Sequence, residues 1–209
     1  MLSVCHQCGA YRVDKIIDPG GPYAICPECG YKHPFRFSPL LLVSGASGAG
    51  KSAVLSHLVG KINSVIIMDS DIIWRPEFNQ PEEGYRNFFE SWLRIAFNIG
   101  QSGRPVVIFG AGFGVPETLE KLGERRYFSN IKYLALVCDE LELKNRLLKR
   151  PKWRGITENF IQSQIEYNLW FIEVASIGIP PVDLINTTDV SLERTVNQVR
   201  QWIQNNLRG

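Results

Sequence analysis

Long apolar runs and a strong charge of either sign are both missing from this sequence. No apolar run approaches the roughly 18 residues that a membrane-spanning helix requires, so we expect no membrane segment and no membrane partner. The 23 basic and 21 acidic residues leave a net charge of only +2, which argues against a protein that mainly coats nucleic acid. The amino terminus also lacks a basic-then-apolar signal segment, so the expected location is the cytoplasm.

Internal repeats and low-complexity tracts are absent as well. Hydrophobic residues make up 44% of the chain, which excludes a disordered or collagen-like protein. A length of 209 residues suits one ordinary α/β domain with a small appendage, and it is enough to bury a substantial core.

Cysteine is scarce, and four of the five cysteines lie within the first 29 residues. They form two Cys-x-x-Cys pairs, Cys5 with Cys8 and Cys26 with Cys29, and a glycine follows each pair. Two residues between thiolates allow a tight turn to direct both sulfurs at one cation, and two such turns supply four ligands. The pattern predicts a zinc ribbon over residues 1–38. Four cysteines leave no open coordination position, so the expected Zn²⁺ is structural.

The chain between the two cysteine pairs predicts a hairpin, with Tyr11–Ile17 and Tyr23–Ile25 as short strands around a Pro- and Gly-rich turn. His6 and His33 exceed the four ligands needed, and we interpret them as bystanders. Disulfide bonds, reactive thiols and an iron site of rubredoxin type are the alternatives for the cysteines. The fifth cysteine, Cys138, ends an apolar run and is expected to be a core thiol.

An apolar run at residues 40–44 leads into a complete phosphate-binding pattern, G-x-x-x-x-G-K-[ST], followed by helical spacing. The pattern consists of Gly45, Ala46, Ser47, Gly48, Ala49, Gly50, Lys51 and Ser52. Glycines let successive backbone N–H groups converge on an anion, and the helix N-terminus adds partial positive charge. We therefore expect ATP here, with Lys51 at the β- and γ-phosphates and the Ser52 hydroxyl as a ligand of Mg²⁺.

Strand and helix patterns alternate through the rest of the chain, residues 39–209. This alternation predicts an α/β fold, the P-loop NTPase three-layer sandwich with a five-stranded parallel sheet and helices on both faces. The strands expected after the phosphate loop are Val65–Met68, Pro105–Phe109, Tyr133–Val137 and Val182–Ile185. The expected helices are Tyr85–Ala96, Glu140–Lys149, Glu158–Val174 and Leu192–Leu207, the last capped by Asp189 or Ser191.

Acidic residues at strand ends narrow the class of phosphate-loop protein. The strand at 105–109 ends without a carboxylate, whereas switch GTPases and mechanical ATPases usually carry an acid at the corresponding place. The second strand instead ends with Asp69 and Asp71, two residues apart and therefore directed to the same side. One carboxylate could serve Mg²⁺, and the other could receive a proton from an incoming hydroxyl. Capping of the following turn is the alternative role for either.

With these motifs in place, residues 40–209 resemble the small-molecule kinases of the shikimate and gluconate kinase type. The resemblance rests on the phosphate loop and on the Asp-x-Asp that ends the second strand. It implies that Asp69 lies near Mg²⁺ and that Asp71 binds the substrate hydroxyl, acting as a base. Gly110 and Gly112 look like the glycine-rich strand end that lies against substrate in that family.

Two further details follow from the resemblance. The basic segment around residues 146–156 is similar to the mobile lid of the family. In that lid an arginine before proline touches the transferring phosphate, and Arg150 matches this arginine. The resemblance also implies that Arg146 contacts the nucleotide. A family-like phrase around Arg86 implies that this arginine holds a carboxylate of the substrate. The alternative for the lid arginines is the solvated end of a helix.

The sequence therefore predicts an ATP-dependent phosphotransferase that moves the γ-phosphate to a hydroxyl of a small molecule such as a nucleoside or a sugar acid. A ribbon fused to such a domain also looks like bacterial proteins described as nucleoside kinases or ATP-binding proteins. The less favoured alternatives are a nucleotide-dependent regulator, a nucleic-acid-binding ATPase and a polynucleotide 5′-hydroxyl kinase, in which basic residues of the ribbon would contact nucleic acid. The pattern does not indicate an oligomeric state.

Overall fold

Two β-sheets organise the computed structural model, which describes residues 3–207. Within these residues, a three-stranded antiparallel sheet precedes a five-stranded sheet. The outer limits of the two predicted domains, residues 1 and 209, lie outside the described residues. None of the helices in the described part of the chain has the length and apolar character needed to span a membrane.

The small sheet consists of β1 (Ile16–Asp18), β2 (Tyr23–Ile25) and β3 (Lys32–Pro34), paired in that order. The predicted hairpin is present, but the strand expected from residue 11 begins only at residue 16. Tyr11 instead forms an isolated bridge with Val4, because the backbone around the first cysteine pair closes a turn of its own. Sequence reasoning also missed β3, whose short Lys-His-Pro run carries no alternating pattern.

The large sheet is parallel throughout, as predicted. Its order is β5-β6-β4-β7-β8. The strands are β4 (Leu40–Ser44), β5 (Ile66–Asp69), β6 (Val106–Phe109), β7 (Ile131–Val137) and β8 (Val182–Asn186). The helices among the described residues are α1 (Lys51–Leu58), α2 (Arg86–Gly100), α3 (Pro116–Glu120), α4 (Glu140–Leu148), α5 (Glu158–Glu173) and α6 (Leu192–Leu207).

The two faces of the large sheet bury separate apolar clusters, which makes the domain a three-layer sandwich. Side chains alternate along a strand, so Leu40 and Leu42 of the central strand β4 join the cluster that contains α2 and α5 residues. Leu41 and Val43 join the cluster that contains α1 and α6 residues. Because both faces are covered, every residue of β4 is buried, and its carboxyl end delivers the phosphate loop to the edge of the sheet.

Local chemistry explains the differences at helix ends. The helix expected from Tyr85 begins one residue later, because Tyr85 adopts a left-handed conformation with φ of 57°. Of the two residues predicted to cap α6, Ser191 does so: its Oγ accepts a hydrogen bond from the Arg194 backbone N–H at 3.3 Å. Sequence reasoning did not anticipate α3, which is only five residues long.

The ribbon packs directly on the larger domain. The Phe35 ring contacts the rings of Phe97 and Tyr127, with centroids 6.0 and 6.4 Å away. Tyr127 Oη donates a hydrogen bond to the carbonyl oxygen of Val13 at 2.6 Å. Ala24 and Phe35 belong to the same apolar cluster as the buried face of α2. The ribbon therefore shares a core with the larger domain.

Candidate nucleotide site and cysteine cluster

A cleft of about 370 Å³ lies at the carboxyl ends of β4, β5 and β6. Ligands of open parallel sheets bind at this edge. Most of the predicted site residues meet there. The cleft is lined by Ser47, Gly48, Gly50, Lys51, Ser52, Ala53, Leu55, Asp69, Asp71, Phe109, Gly110, Ala111, Arg146, Arg150 and Arg154.

The phosphate loop depends on glycine at its first position. Gly45 has φ of 134°, and a Cβ there would collide with the carbonyl oxygen of Leu136 in β7. A larger residue would therefore push the loop off the sheet. The loop ends at Gly50, also left-handed, and α1 begins at Lys51, so the positive end of the helix dipole faces the cleft.

The Lys51 ammonium group is held inside this loop. Its Nζ donates hydrogen bonds to the carbonyl oxygens of Gly45 at 2.6 Å and Ala46 at 3.0 Å. Burial, with a smaller contribution from the charge of Arg150, lowers the pKa of Lys51 to about 8, although Asp71 and Asp69 act in the opposite direction. The amine is thus a cation that an anionic ligand would stabilise.

The two carboxylates that line the cleft sit on a single turn. Asp69 is the last residue of β5, and its Oδ1 accepts a hydrogen bond from the Asp71 backbone N–H at 3.0 Å. Asp69 therefore does cap the following turn, as the alternative interpretation proposed, and it faces the cleft at the same time. The Ser70 hydroxyl donates to Asp71 Oδ1 at 3.2 Å, and Trp92 Nε1 of α2 donates to the Ser70 carbonyl oxygen at 3.1 Å. Helix α2 thus holds the turn in place through this last hydrogen bond.

Arginines of the predicted lid segment also line the cleft. Arg146 of α4 donates through Nε to Glu142 at 2.7 Å and through Nη2 to the carbonyl oxygen of Thr187 at 2.8 Å. These bonds anchor Arg146 against the end of β8. Arg150 and Arg154 line the same cleft, and burial together with the charge of Arg154 lowers the pKa of Arg150.

The loop after β6 is drawn into the cleft by two hydroxyl groups. The carbonyl oxygen of Ala111 accepts hydrogen bonds from Ser44 Oγ at 2.5 Å and from Tyr167 Oη at 2.6 Å. A Cβ on Gly110 would collide with the Ser70 side chain, so this close approach requires glycine. Gly112, in contrast, lies against the Phe89 ring, and within the described residues it is not part of the cleft lining.

Arg86 forms an ion pair on the surface of α2. Its Nε donates to Glu90 at 2.6 Å, an i,i+4 ion pair on the exposed side of α2. Of the residues that the structure describes, Arg86 is not one that lines the cavity. The geometry therefore gives no support to the expectation that it holds a substrate carboxylate.

A second cavity of about 260 Å³ shares Gly48, Gly50, Ala53 and Arg146 with the cleft and extends it toward β8. Its other walls include Thr187, Val190, Leu192 and Thr195. Sequence reasoning did not single out these residues. Their location in the sequence could have identified them, because they follow the end of β8, and loops after strand ends lie at the ligand-binding edge of the sheet.

The four predicted cysteine ligands come together as a compact cluster. Their sulfurs all lie within 4.8 Å of one another, with Cys5 and Cys29 3.6 Å apart and Cys8 and Cys26 3.9 Å apart. A tetrahedral Zn²⁺ with Zn–S bonds of about 2.3 Å would separate its sulfurs by about 3.8 Å. Disulfide sulfurs would be only about 2 Å apart. The donor set and spacing therefore fit a closed zinc site and not a pair of disulfides.

The surroundings of the cluster shift the pKa values of Cys5 and Cys29 in opposite directions. Burial acts to raise the pKa of Cys5, but the backbone of Cys8 and Gln7 lowers it to about 5. At Cys29 a backbone hydrogen bond at Tyr31 acts to lower the pKa, but burial and the neighbouring sulfurs raise it to about 12. The His33 ring is buried and packs on the rings of His6 and Tyr31, with centroids 5.1 and 4.8 Å away. Neither histidine belongs to the metal-competent group found among the described residues.

Comparisons with known proteins place the fold. No protein-family model matches the chain, and no curated protein matches it. A sugar kinase from Janibacter sp. HTCC2649 is similar over 80% of this chain and 95% of its own, with a TM-score of 0.58 and 17% identity. A gluconokinase from Sinorhizobium meliloti 1021 is similar over 83% and 95%, with a TM-score of 0.55 and 18% identity.

A thymidylate kinase from Candida albicans is similar over 81% of this chain and 92% of its own, with a TM-score of 0.53 and 15% identity. At such identities the likeness establishes architecture. The five-stranded parallel sheet, the phosphate loop at the end of its central strand and these three similarities agree. The chain therefore has the fold of the P-loop kinases, preceded by a small antiparallel sheet with a four-cysteine cluster suited to zinc.

Proposed function

We propose that this protein is an ATP-dependent kinase that transfers the γ-phosphate to a hydroxyl group of a small molecule. The observation that carries the proposal is the placement of Lys51 and two carboxylates, Asp69 and Asp71, around one cleft at the ligand-binding edge of the sheet. The three similar structures are a sugar kinase, a gluconokinase and a thymidylate kinase, which supports a small-molecule acceptor.

The nucleotide would lie along the phosphate loop. Loop amides and the N-terminus of α1 suit its phosphates, and the ammonium group of Lys51 suits the β- and γ-oxygens. The second cavity, between Arg146 and the loop after β8, would take the base. The Ser52 hydroxyl and the Asp69 carboxylate both line the cleft and fit Mg²⁺, which prefers oxygen ligands. When bound, Mg²⁺ supplies charge neutralisation at the β- and γ-phosphates.

The transfer step uses the residues on the other side of the cleft. The acceptor oxygen attacks the γ-phosphorus in line, the bond to the β,γ-bridging oxygen breaks, and ADP leaves. Asp71 would orient the acceptor hydroxyl and take its proton, a contribution of typically about 10²–10⁴ in rate. Arg150 would stabilise charge on the transferring group, and a positioned arginine contributes about 10³–10⁵ in comparable enzymes. Positioning by Gly110 and Ala111 completes the acceptor side.

The cysteine cluster has a structural role in this proposal. A segment of 36 described residues in and around three short strands buries too little surface to fold alone, and a tetrahedral Zn²⁺ held by four thiolates would stabilise it. A closed four-sulfur shell leaves no position for substrate, so no catalytic step involves this site.

The ribbon gives little support to a nucleic-acid-binding function. Arg12 pairs with both Asp14 and Glu28, and Lys32 approaches Asp18 at 3.9 Å. Lys15 is fully buried. Of the four basic side chains of the ribbon, Arg12 is thus paired and Lys15 is inaccessible, which leaves Lys32 and Arg36 as the accessible cations that a phosphate backbone would need. A kinase with a small-molecule acceptor remains the better account.

An acceptor panel tests the proposal. ADP production is measured with MgATP and neutral sugars, sugar acids, nucleosides and nucleoside monophosphates, and with 5′-hydroxyl oligonucleotides as a separate arm. We expect stimulation by one small-molecule class, abolished in Lys51→Met. Stimulation confined to the oligonucleotide arm, or ATP binding that survives Lys51→Met unchanged, would contradict the proposal.

A further inference from the structure

The phosphate loop is bonded to a helix that is distant in sequence. The backbone N–H of Ser47, in the middle of the loop, donates a hydrogen bond of 2.8 Å to Oε1 of Gln164 on α5, 117 positions away. A backbone amide has a single proton to donate. While Gln164 accepts it, the Ser47 amide is directed at α5 and the loop conformation is fixed at that point.

Two neighbours on the same face of α5 make similar bonds to other segments at the carboxyl edge of the sheet. Tyr167 donates to the carbonyl oxygen of Ala111 at 2.6 Å. Asn168 is buried, accepts from the Cys138 backbone N–H at 3.2 Å and donates to the Cys138 carbonyl oxygen at 2.7 Å. The spacing i, i+3, i+4 places the three side chains together on the helix. Helix α5 thus holds the segments that follow β4, β6 and β7.

Gln164 is partly buried beside an apolar cluster, and its Nε2 donates a long hydrogen bond of 3.5 Å to Ser163 Oγ. Its helix neighbours Ile161 and Ile165 form a small buried cluster with Ala46 of the phosphate loop. An apolar side chain at 164 could pack against this cluster, but it would leave the Ser47 amide without its acceptor. The polar group is therefore explained by the hydrogen bond and not by packing.

We propose that Gln164 is a positioning residue that sets the conformation of the phosphate loop and thereby the affinity for nucleotide. Only the effect on nucleotide affinity rests on the proposed function, because the hydrogen bond between Ser47 and Gln164 can be tested without a ligand. Since α5 begins directly after the basic lid segment, the same helix joins the lid to the loop.

The test compares Gln164→Leu and Gln164→Glu with Gln162→Leu. Gln162 is an exposed residue of the same helix whose side-chain amide donates to Glu166, so it controls for helix propensity. In the free protein, we expect Gln164→Leu to accelerate hydrogen exchange at the Ser47 amide, and Gln164→Glu, which keeps an acceptor oxygen, to retain protection. Gln162→Leu should match the wild type.

Binding of MgATP, measured by calorimetry without an acceptor, gives the second readout. We expect Gln164→Leu to weaken binding about fivefold, the order expected for one lost hydrogen bond. Unchanged Ser47 exchange together with unchanged affinity would overturn the inference, and so would equal effects of Gln164→Leu and Gln162→Leu. If the wild type binds no ATP, the proposed function fails, while the exchange data still decide whether Gln164 holds the loop.

Discussion

The surroundings of Lys51 set its pKa and thereby couple its protonation to ligand binding in this cleft. Its ammonium group is surrounded by loop carbonyls, and burial lowers its pKa from 10.5 to about 8. Bound phosphates would raise this pKa again, because an adjacent anion favours the charged form. Nucleotide binding should therefore be coupled to protonation of Lys51.

The first prediction is a pH dependence of ATP affinity. Affinity should be full below pH 8 and fall as the pH rises through 8, by at most about tenfold per pH unit, because the free protein loses the proton that the complex retains. Titration calorimetry at pH 7, 8 and 9 measures it. Lys51→Arg, with a side chain that stays charged, is the control and should show a flat profile over this range.

The two carboxylates can be separated by substitutions of equal size. Asp71→Asn should leave ATP affinity within about twofold and reduce phosphoryl transfer by about 10²–10⁴, because the acceptor loses its base. The measurement is single-turnover transfer at saturating MgATP. Equal transfer rates for wild type and Asp71→Asn would show that Asp71 has another role.

Asp69 combines a structural and a chemical role, and the prediction separates them. Asp69→Asn keeps an oxygen that can cap the turn over Ser70–Ile73, so the midpoint of thermal unfolding should stay unchanged while the Mg²⁺ concentration needed for activity rises. Asp69→Ala should lose about 1 kcal/mol of stability as well. A loss of stability in Asp69→Asn equal to that in Asp69→Ala would contradict the assignment.

Site residues whose partners lie nearby in the sequence were predictable, whereas residues whose hydrogen-bond partners lie on other elements were not. The cysteine pairs and the phosphate loop have fixed local spacing, which reflects the geometry of one ligand. Gln164 and Thr187 carry no such signal, because their partners lie on other elements. The role expected for Arg86 stays a prediction, and the family-like phrase on which it rests does not reveal that Glu90 pairs with the guanidinium.

At the scale of elements, α2 connects the ribbon to the turn that carries Asp69 and Asp71. One side of the helix packs against the Phe35 and Tyr127 region, and Trp92 in its middle bonds to the turn that carries the two carboxylates. The apolar period of α2 in the sequence indicated a buried face, but not that the ribbon would cover part of it. Short elements such as β3 and α3 escaped prediction because three to five residues carry too little periodicity.

The docking of the ribbon on α2 leads to a stability prediction. Phe35 is buried between the ribbon and α2, so Phe35→Ala should lower the free energy of unfolding by about 3–5 kcal/mol. Tyr11→Ala is the control, since the Tyr11 side chain is 68% exposed and its loss should have little effect. Urea unfolding followed by tryptophan fluorescence measures both. If the ribbon did not pack on α2, the two variants would have the same free energy of unfolding.

At the scale of the whole molecule, the small sheet and the large sheet share one apolar cluster. Removal of zinc should therefore destabilise the larger domain as well as the ribbon. We expect about one zinc per chain by elemental analysis, and a single unfolding transition that moves to lower temperature when the metal is chelated. Two separate transitions, with the upper one insensitive to chelation, would show that the parts fold independently.

The account as a whole depends on a cleft that delivers phosphate to an organic hydroxyl and not to water. The most direct measurement follows the γ-phosphate of labelled ATP into product, with the acceptor that emerges from the panel. The wild type should form an organic phosphate ester in amounts equal to the ADP released, and Asp71→Asn should form it far more slowly. Release of all the label as inorganic phosphate, whatever acceptor is present, would contradict the central claim.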